Sequence, residues 1–103
     1  MLNLLLLIQH YYYRMKTKKG FNLRTICGEN IIVAEGIQNI DFSRIISMNE
    51  SAAYLWKNIQ GTDFDSIMLS KLLLDEYEVD EATAKNDADT LIAKWLEAGI
   101  IEE

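Results

Sequence analysis

The hydrophobic period of this chain changes from two residues to about 3.6 at Asn49, and that change restricts the fold more than any other feature of the sequence. Between residues 21 and 25, apolar or β-branched side chains alternate with polar ones. Residues 31–33 form a β-branched run directly after a Gly-Glu-Asn turn signal. This pattern predicts a β-hairpin. After a looser connection at 36–41, a third strand is predicted over residues 42–48.

Three helices with short connections are predicted after this point. Asn49 is a favourable N-cap for the first helix, and Gly61 is expected to end it. A second helix is expected at about 63–77 behind a capping box formed by Thr62 and Asp65, and a third at about 81–98 between an aspartate cap and a closing glycine. The buried face of the third helix is predicted to consist of Ala84, Ala88, Leu91 and Trp95.

The order of these elements predicts an α+β fold. A three-stranded antiparallel sheet is expected to precede a three-helix, winged-helix-like (helix-turn-helix) bundle. The chain has 103 residues, which suffices for one domain with one core. No internal repeat is visible.

Residues 1–14 differ in character from the rest of the chain. Their apolar run, Leu2 to Ile8, is too short to span a bilayer and lacks the flanking features of a signal peptide. Met15, followed by Lys-Thr-Lys-Lys, is typical of a bacterial protein start. We therefore expect residues 1–14 to be an extension upstream of a natural start at Met15, and residues 15–103 to form a single domain. The alternative is an extra helix that packs on the body or on a second copy.

The formal charge of −6 is unevenly spread. The first 24 residues contain basic side chains and no acidic one, whereas residues 63–103 carry twelve acidic residues against three lysines. An acidic body is a poor match for phosphate backbones, so no nucleic acid is expected as a partner. No membrane partner is expected either.

Residues suited to catalysis are scarce. His10 is the only histidine and lies in the N-terminal segment, and no glycine-rich phosphate loop, nucleophile elbow or metal-binding motif is present. Cys27 is the only cysteine, which fits a reducing cytoplasm and leaves no zinc ligand set. The sequence therefore predicts a cytoplasmic protein that is not an enzyme and has no metal site and no cofactor.

Several segments resemble the PqqD-like family, the small chaperones of pyrroloquinoline quinone (PQQ) biosynthesis and related peptide-modification pathways. The stretch M-N-E-S-A-A-Y-L-W at 48–56 resembles the family's L-N-E-T-A-A-x-I-W segment. Gly61-Thr62 and the E-Y-E-V-D link at 76–80 resemble its G-x-T and E-Y-x-V-D motifs. Asp87, Leu91, Trp95 and Gly99-Ile100 follow its D-x-x-x-F-x-x-x-L-x-x-x-G-L pattern, with Leu91 and Trp95 in place of the usual Phe and Leu. The resemblance covers about residues 21–103.

The resemblance implies a peptide chaperone, a recognition element that binds the leader of a ribosomally made precursor peptide and presents it to a radical S-adenosylmethionine (SAM) enzyme. The leader is expected to add as a strand to the edge of the sheet and to lie beside the third helix. The residues that fit this mode are the third strand and a stripe on the third helix, namely Ser43, Arg44, Ile45, Ile46, Ser47, Lys85, Asp89, Ile92 and Leu96. Ile92 and Leu96 also fit the rim of an ordinary packed core, and that alternative stays open.

Two other functions stay open as well. A winged-helix DNA-binding protein shares the helix-turn-helix arrangement, but the acidic residues of the third helix would repel phosphate. An adaptor domain that forms a homodimer through residues 1–14 is the other alternative.

Overall fold

The computed structural model describes residues 14–35 and 45–103. Within these ranges, the elements follow one another as β1 (Lys16–Thr17), β2 (Phe21–Ile26), β3 (Glu29–Ala34), β4 (Ile46–Met48), α1 (Glu50–Asn58), α2 (Ser66–Glu76), α3 (Glu81–Ala98) and β5 (Ile101–Glu102). The strands of the three-stranded antiparallel sheet β2-β3-β4 precede the three helices in the sequence. The predicted α+β fold is therefore confirmed.

A two-residue turn joins β2 to β3. Cys27 and Gly28 both have positive φ, at 52° and 78°, and Ile26 pairs with Glu29 across the turn. Positive φ at both central positions is typical of a type I′ hairpin turn, and glycine adopts that conformation without steric cost. The hairpin is confirmed, but the predicted position of its turn at 28–30 is wrong, because Glu29 and Asn30 already belong to β3.

β4 forms one edge of this sheet and is shorter than predicted within the part of the chain that can be described. It pairs with β3 through Asn30–Met48, Ile31–Ser47 and Ile32–Ile46. The remainder of the predicted third strand, residues 42–44, and the predicted connection at 36–41 lie outside the described residues.

A second, two-stranded sheet pairs the start of the described chain with its end. Lys16 lies opposite Glu102 and Thr17 opposite Ile101. The Lys18 N–H continues the ladder by donating to the Ile100 carbonyl at 2.9 Å. The sequence patterns predicted no strand at either position, so β1, β5 and their pairing are additions that the structure makes.

Side-chain caps fix the starts of the helices. The side chain of Asn49 accepts a hydrogen bond from Ala52 N at 2.8 Å, which confirms the predicted cap. Helix α1 ends at Asn58 rather than near Gly61. The predicted capping box at Thr62 is wrong, because Asp65 is itself the N-cap of α2 and accepts from Met68 N at 2.8 Å.

Helix α3 has the predicted bounds. Asp80 caps it by accepting from Thr83 N at 2.7 Å, and Gly99 closes it in the left-handed conformation with φ 75°. Its buried face differs from the prediction at one position, because Ile92 is only 4% exposed whereas Leu91 is half-buried. The apolar stripe therefore runs through Ala84, Ala88, Ile92 and Trp95.

The core lies between the sheet and the three helices. Trp56 of α1 and Trp95 of α3 meet edge-to-face at its centre, with ring centroids 5.4 Å apart and an interplanar angle of 82°. Aromatic pairs prefer this arrangement, and each ring removes a large apolar area from water. The predicted core position of Trp95 is confirmed at 3% exposed, and Trp56 is buried beside it at 1% exposed.

Candidate functional site

The outer edge of β4 is the first part of the candidate site. Among the described strands, β4 pairs only with β3. Met48 is buried and Ile46 packs against the core, whereas Ile45 is 51% exposed and Ser47 is exposed. This segment therefore places an apolar and a polar side chain on the outer surface beside a sheet edge. The predicted site residues Ser43 and Arg44 lie outside the described residues.

The second part of the candidate site is the stripe predicted on α3, whose residues differ in their exposure to solvent. Lys85 is exposed, and Leu96 is half-buried against the core. Ile92 belongs to the core, so its side chain offers almost no surface to a ligand. The rim interpretation is therefore the better description of Ile92, and Leu96 supplies the accessible apolar surface of the stripe.

Asp89 has a partner inside the protein. Its carboxylate accepts a hydrogen bond from the hydroxyl of Ser66, a side chain of α2 that is 1% exposed. A buried hydroxyl needs such a partner to offset its loss of water. Asp89 thus links α3 to the first turn of α2, a role that the sequence did not reveal.

A surface pocket of about 490 Å³ lies between the end of β4 and the first half of α3. The pocket extends from Asn49, directly after β4, to Asp87 on α3, and none of the predicted site residues lines it. Asp87 lies two positions from Lys85 and from Asp89, so it belongs to the other flank of α3. The lining residues of the pocket are Asn49, Glu50, Ser51, Leu73, Tyr77, Glu78, Val79 and Asp87. We call this depression the acidic pocket.

Apolar and acidic groups share the walls of the acidic pocket. Leu73 and Val79 supply apolar wall, while Glu50, Glu78 and Asp87 supply carboxylates. A long side chain with an apolar stem and a cationic or neutral polar head matches this combination. Carboxylate-rich ligands are disfavoured there by repulsion.

Tyr77 lies in the wall of the acidic pocket, and the neighbouring groups shift its pKa. Partial burial raises the pKa of its phenol above the ordinary value, and the carboxylates of Glu50 and Glu76 raise it further. Its ring meets Tyr54 edge-to-face, with centroids 5.8 Å apart. Tyr77 therefore stays protonated at neutral pH and can donate a hydrogen bond from the pocket wall.

A second depression, of about 610 Å³, adjoins the hairpin turn and the end of β4. It is lined by Gly28, Glu29, Asn30, Ser47, Met48, Asn49 and Glu50. Because it shares Asn49 and Glu50 with the acidic pocket, concave surface extends from the hairpin past the end of β4 to α3. Sequence analysis missed both depressions, because their walls come from distant segments.

Within residues 14–35 and 45–103, no three His, Cys, Asp or Glu side chains are grouped so as to hold a metal ion. In the same ranges, no helix is long and apolar enough to cross a membrane. Cys27 is exposed on the hairpin turn, and His10 lies outside the described residues.

Comparison with known proteins identifies a family. The family model described as coenzyme PQQ synthesis protein D (PqqD) matches residues 29–101, which include β4, the helices α1, α2 and α3, and the whole acidic pocket. Of the second depression, only Gly28 lies outside the match. No curated protein and no solved structure matches the chain. The family match relates the chain to PQQ biosynthesis and confirms the resemblance found in the sequence. The chain belongs to the PqqD family.

Proposed function

We propose that this protein is a non-catalytic, cytoplasmic chaperone that binds the leader of a ribosomally made precursor peptide and presents it to a radical SAM enzyme. Its membership of a PQQ-synthesis family supports a place in peptide-derived cofactor biosynthesis. The observation that carries the proposal is the outer edge of β4, which pairs with no other described strand and adjoins concave surface.

In this proposal the leader binds as an added strand. A sheet edge presents N–H and C=O groups that an extended peptide can pair with, and pockets for alternate side chains then supply specificity. Ser47 offers an exposed position along that edge, and Ile45 offers apolar contact on the outer face. Residues Ser43 and Arg44 are proposed to extend the same edge upstream.

The leader continues past the end of β4 towards α3. There the acidic pocket receives a neutral or basic side chain of the leader, because its carboxylates repel acidic ones. On α3, Leu96 and Lys85 are proposed to contact the leader. Ile92 supports this surface from the core, and Asp89, which is exposed, fixes the position of α3 through its hydrogen bond with Ser66.

The experiment is a titration of ¹⁵N-labelled protein with the synthetic leader of a precursor peptide encoded beside its gene. We expect amide shifts at residues 45–51 and along the exposed side of α3. The variant Ile45→Asp places a charge beside the proposed added strand, and we expect it to weaken leader binding at least tenfold.

Ile26→Asp is the matched control. Ile26 is 54% exposed, close to the 51% of Ile45, but it lies on β2 at the opposite edge of the sheet. We expect the control to bind the leader within twofold of the wild type. Equal losses in the two variants, or leader-induced shifts confined to the β2 edge, would contradict strand addition at β4.

Presentation to the enzyme is measured separately. A radical SAM enzyme encoded nearby should modify its precursor faster when this protein is added, and Ile45→Asp should remove that stimulation. An unchanged rate with and without the protein would contradict the presentation role, even if leader binding had been demonstrated.

A further inference from the structure

We infer that a second surface, formed by β1 and the turn after α1, docks an acidic segment of a partner protein. The charges of the chain are unevenly distributed. All sixteen acidic residues follow position 28, and five of the ten basic residues precede it. An otherwise acidic protein therefore carries one basic region at the start of its described part.

The fold turns this basic region into a pocket of about 470 Å³. Three lysines and one aspartate are its charged lining residues. The complete lining is Lys16, Thr17, Lys18, Lys19, Gly20, Phe21, Asn22, Gln60, Gly61, Thr62 and Asp63. We call this depression the basic pocket. It shares no residue with the acidic pocket.

Backbone hydrogen bonds hold the lysine-bearing segment in place. Met15 is 2% exposed, and its N–H and C=O both bond to Phe64, at 2.7 and 2.8 Å. Lys18 N bonds to the carbonyl of Ile100, and the Gly20 carbonyl accepts from Glu35 N at 2.7 Å. The lysines therefore project from a fixed backbone, so a ligand need not order that backbone on binding.

The charges of this pocket are only weakly compensated within the described residues. Lys16 and Glu102 approach to 3.9 Å with both side chains about half exposed, a geometry that contributes little. Lys18 and Lys19 form no ion pair with any described residue. Arg24 is different, because Glu35 binds its guanidinium through two bonds of 2.7 and 2.6 Å.

The spacing of the lysines favours an extended acidic peptide. Lys16 lies on β1 and Lys18 follows the strand directly, where the hydrogen bond from Lys18 N to Ile100 continues the pairing. Side chains two positions apart on extended backbone lie on the same side, roughly 6–7 Å apart along the chain. Alternate side chains of an extended peptide have the same spacing, so acidic residues at alternate positions can each meet one lysine. A nucleic-acid strand fits less well, because its charges continue beyond the pocket over a body that bears the remaining acids.

The test uses fluorescein-labelled octaglutamate at low salt, with octaglutamine as the uncharged probe. We expect wild-type protein to bind octaglutamate and not octaglutamine, with amide shifts confined to residues 16–22 and 60–63. The variant Lys18→Glu/Lys19→Glu should weaken binding at least tenfold. The control Lys71→Glu/Lys94→Glu makes the same change of net charge on exposed residues of α2 and α3, and should weaken it less than threefold.

Four outcomes would overturn the proposal. They are equal weakening in the two charge-reversed variants, shifts centred outside the basic pocket, tighter binding of octathymidylate to the same residues, and self-association of the wild type that the Lys18/Lys19 changes abolish. The last would make a second copy of this chain the occupant. If circular dichroism shows that the charge-reversed variant is unfolded, Lys18→Gln/Lys19→Gln answers the same question, with an expected weakening of at least threefold.

Discussion

Substitution of Ile92 can distinguish a packing role from a ligand-binding role on α3. The side chain is 4% exposed and belongs to the core cluster that includes Trp95. Truncation to alanine removes buried apolar groups and leaves a cavity. Such a change in a well-packed site costs about 2–5 kcal/mol, against a total stability of roughly 5–15 kcal/mol for a typical domain. We therefore expect Ile92→Ala to remove a large fraction of the free energy of unfolding.

Urea unfolding followed by tryptophan fluorescence measures this loss. Trp56 and Trp95 both lie in the core, so their emission reports the global transition. At the size of this chain, a loss of 2 kcal/mol corresponds to a fall in Tm of roughly 10 °C. Ile45→Ala is the control, because Ile45 is 51% exposed and its truncation should change stability by no more than about 0.5 kcal/mol.

The affinity of Ile92→Ala for the leader tests whether Ile92 is a core residue or a groove residue. If Ile92→Ala keeps the stability of the wild type but loses affinity for the leader, Ile92 is a groove residue and its assignment to the core is wrong. If the variant loses stability but, where still folded, binds the leader with unchanged affinity, the core assignment stands.

Two further predictions concern polar contacts of α3. Asp89→Ala should destabilise the protein by about 1–3 kcal/mol, because it leaves the buried Ser66 hydroxyl without its partner. In a double-mutant cycle, adding Ser66→Ala should recover part of this loss. Additive losses in the two variants would contradict the coupling between these side chains. The cap hydrogen bond from Thr83 N lowers the pKa of Asp80 in the folded state, so its stabilising contribution is complete above the unfolded pKa and is lost as pH falls through the lower folded value. Asp80→Asn keeps a good N-cap but cannot titrate. The difference between the urea midpoints of wild type and variant should therefore be constant near neutral pH and change below about pH 4. A difference that stays constant down to about pH 3 would contradict the cap assignment.

Local signals in the sequence were sufficient for much of the fold. The bounds of α3 follow from a capping aspartate and a closing glycine, both of which act within one turn of the helix end. The hairpin was likewise predictable, although its turn was misplaced. Gly28 and Asn30 are residues typical of turns, but Asn30 pairs with Thr25 and Glu29 pairs with Ile26 inside the strands. Signals that depend on neighbouring residues thus predicted the right elements, but they placed the hairpin turn less accurately.

Features that depend on distant residues were not predictable in the same way. The β1–β5 pair joins Lys16 to Glu102, and no local pattern marks a two-residue strand. The buried face of α3 depends on where α2 packs against it. Spacings of four, three, four and of four, four, three both fit a helical stripe, and the sequence did not distinguish Leu91 from Ile92. The acidic pocket was missed for the same reason, since its lining comes from α1, α2 and α3.

The charges around α1 bear on how two ligands can be kept apart on so small a protein. The acidic pocket includes residues 49–51 at the start of this helix, and the basic pocket includes residues 60–62 just beyond its end. The helix has nine residues, which corresponds to a length of about 13 Å. An acidic segment is repelled at one end and attracted at the other. At physiological salt the Debye length of about 8 Å is shorter than the helix, so the charges at one end have little effect on a ligand bound at the other. A leader bound beside β4 and an acidic segment of the partner would therefore select different ends of α1 by charge, so both can be held at once.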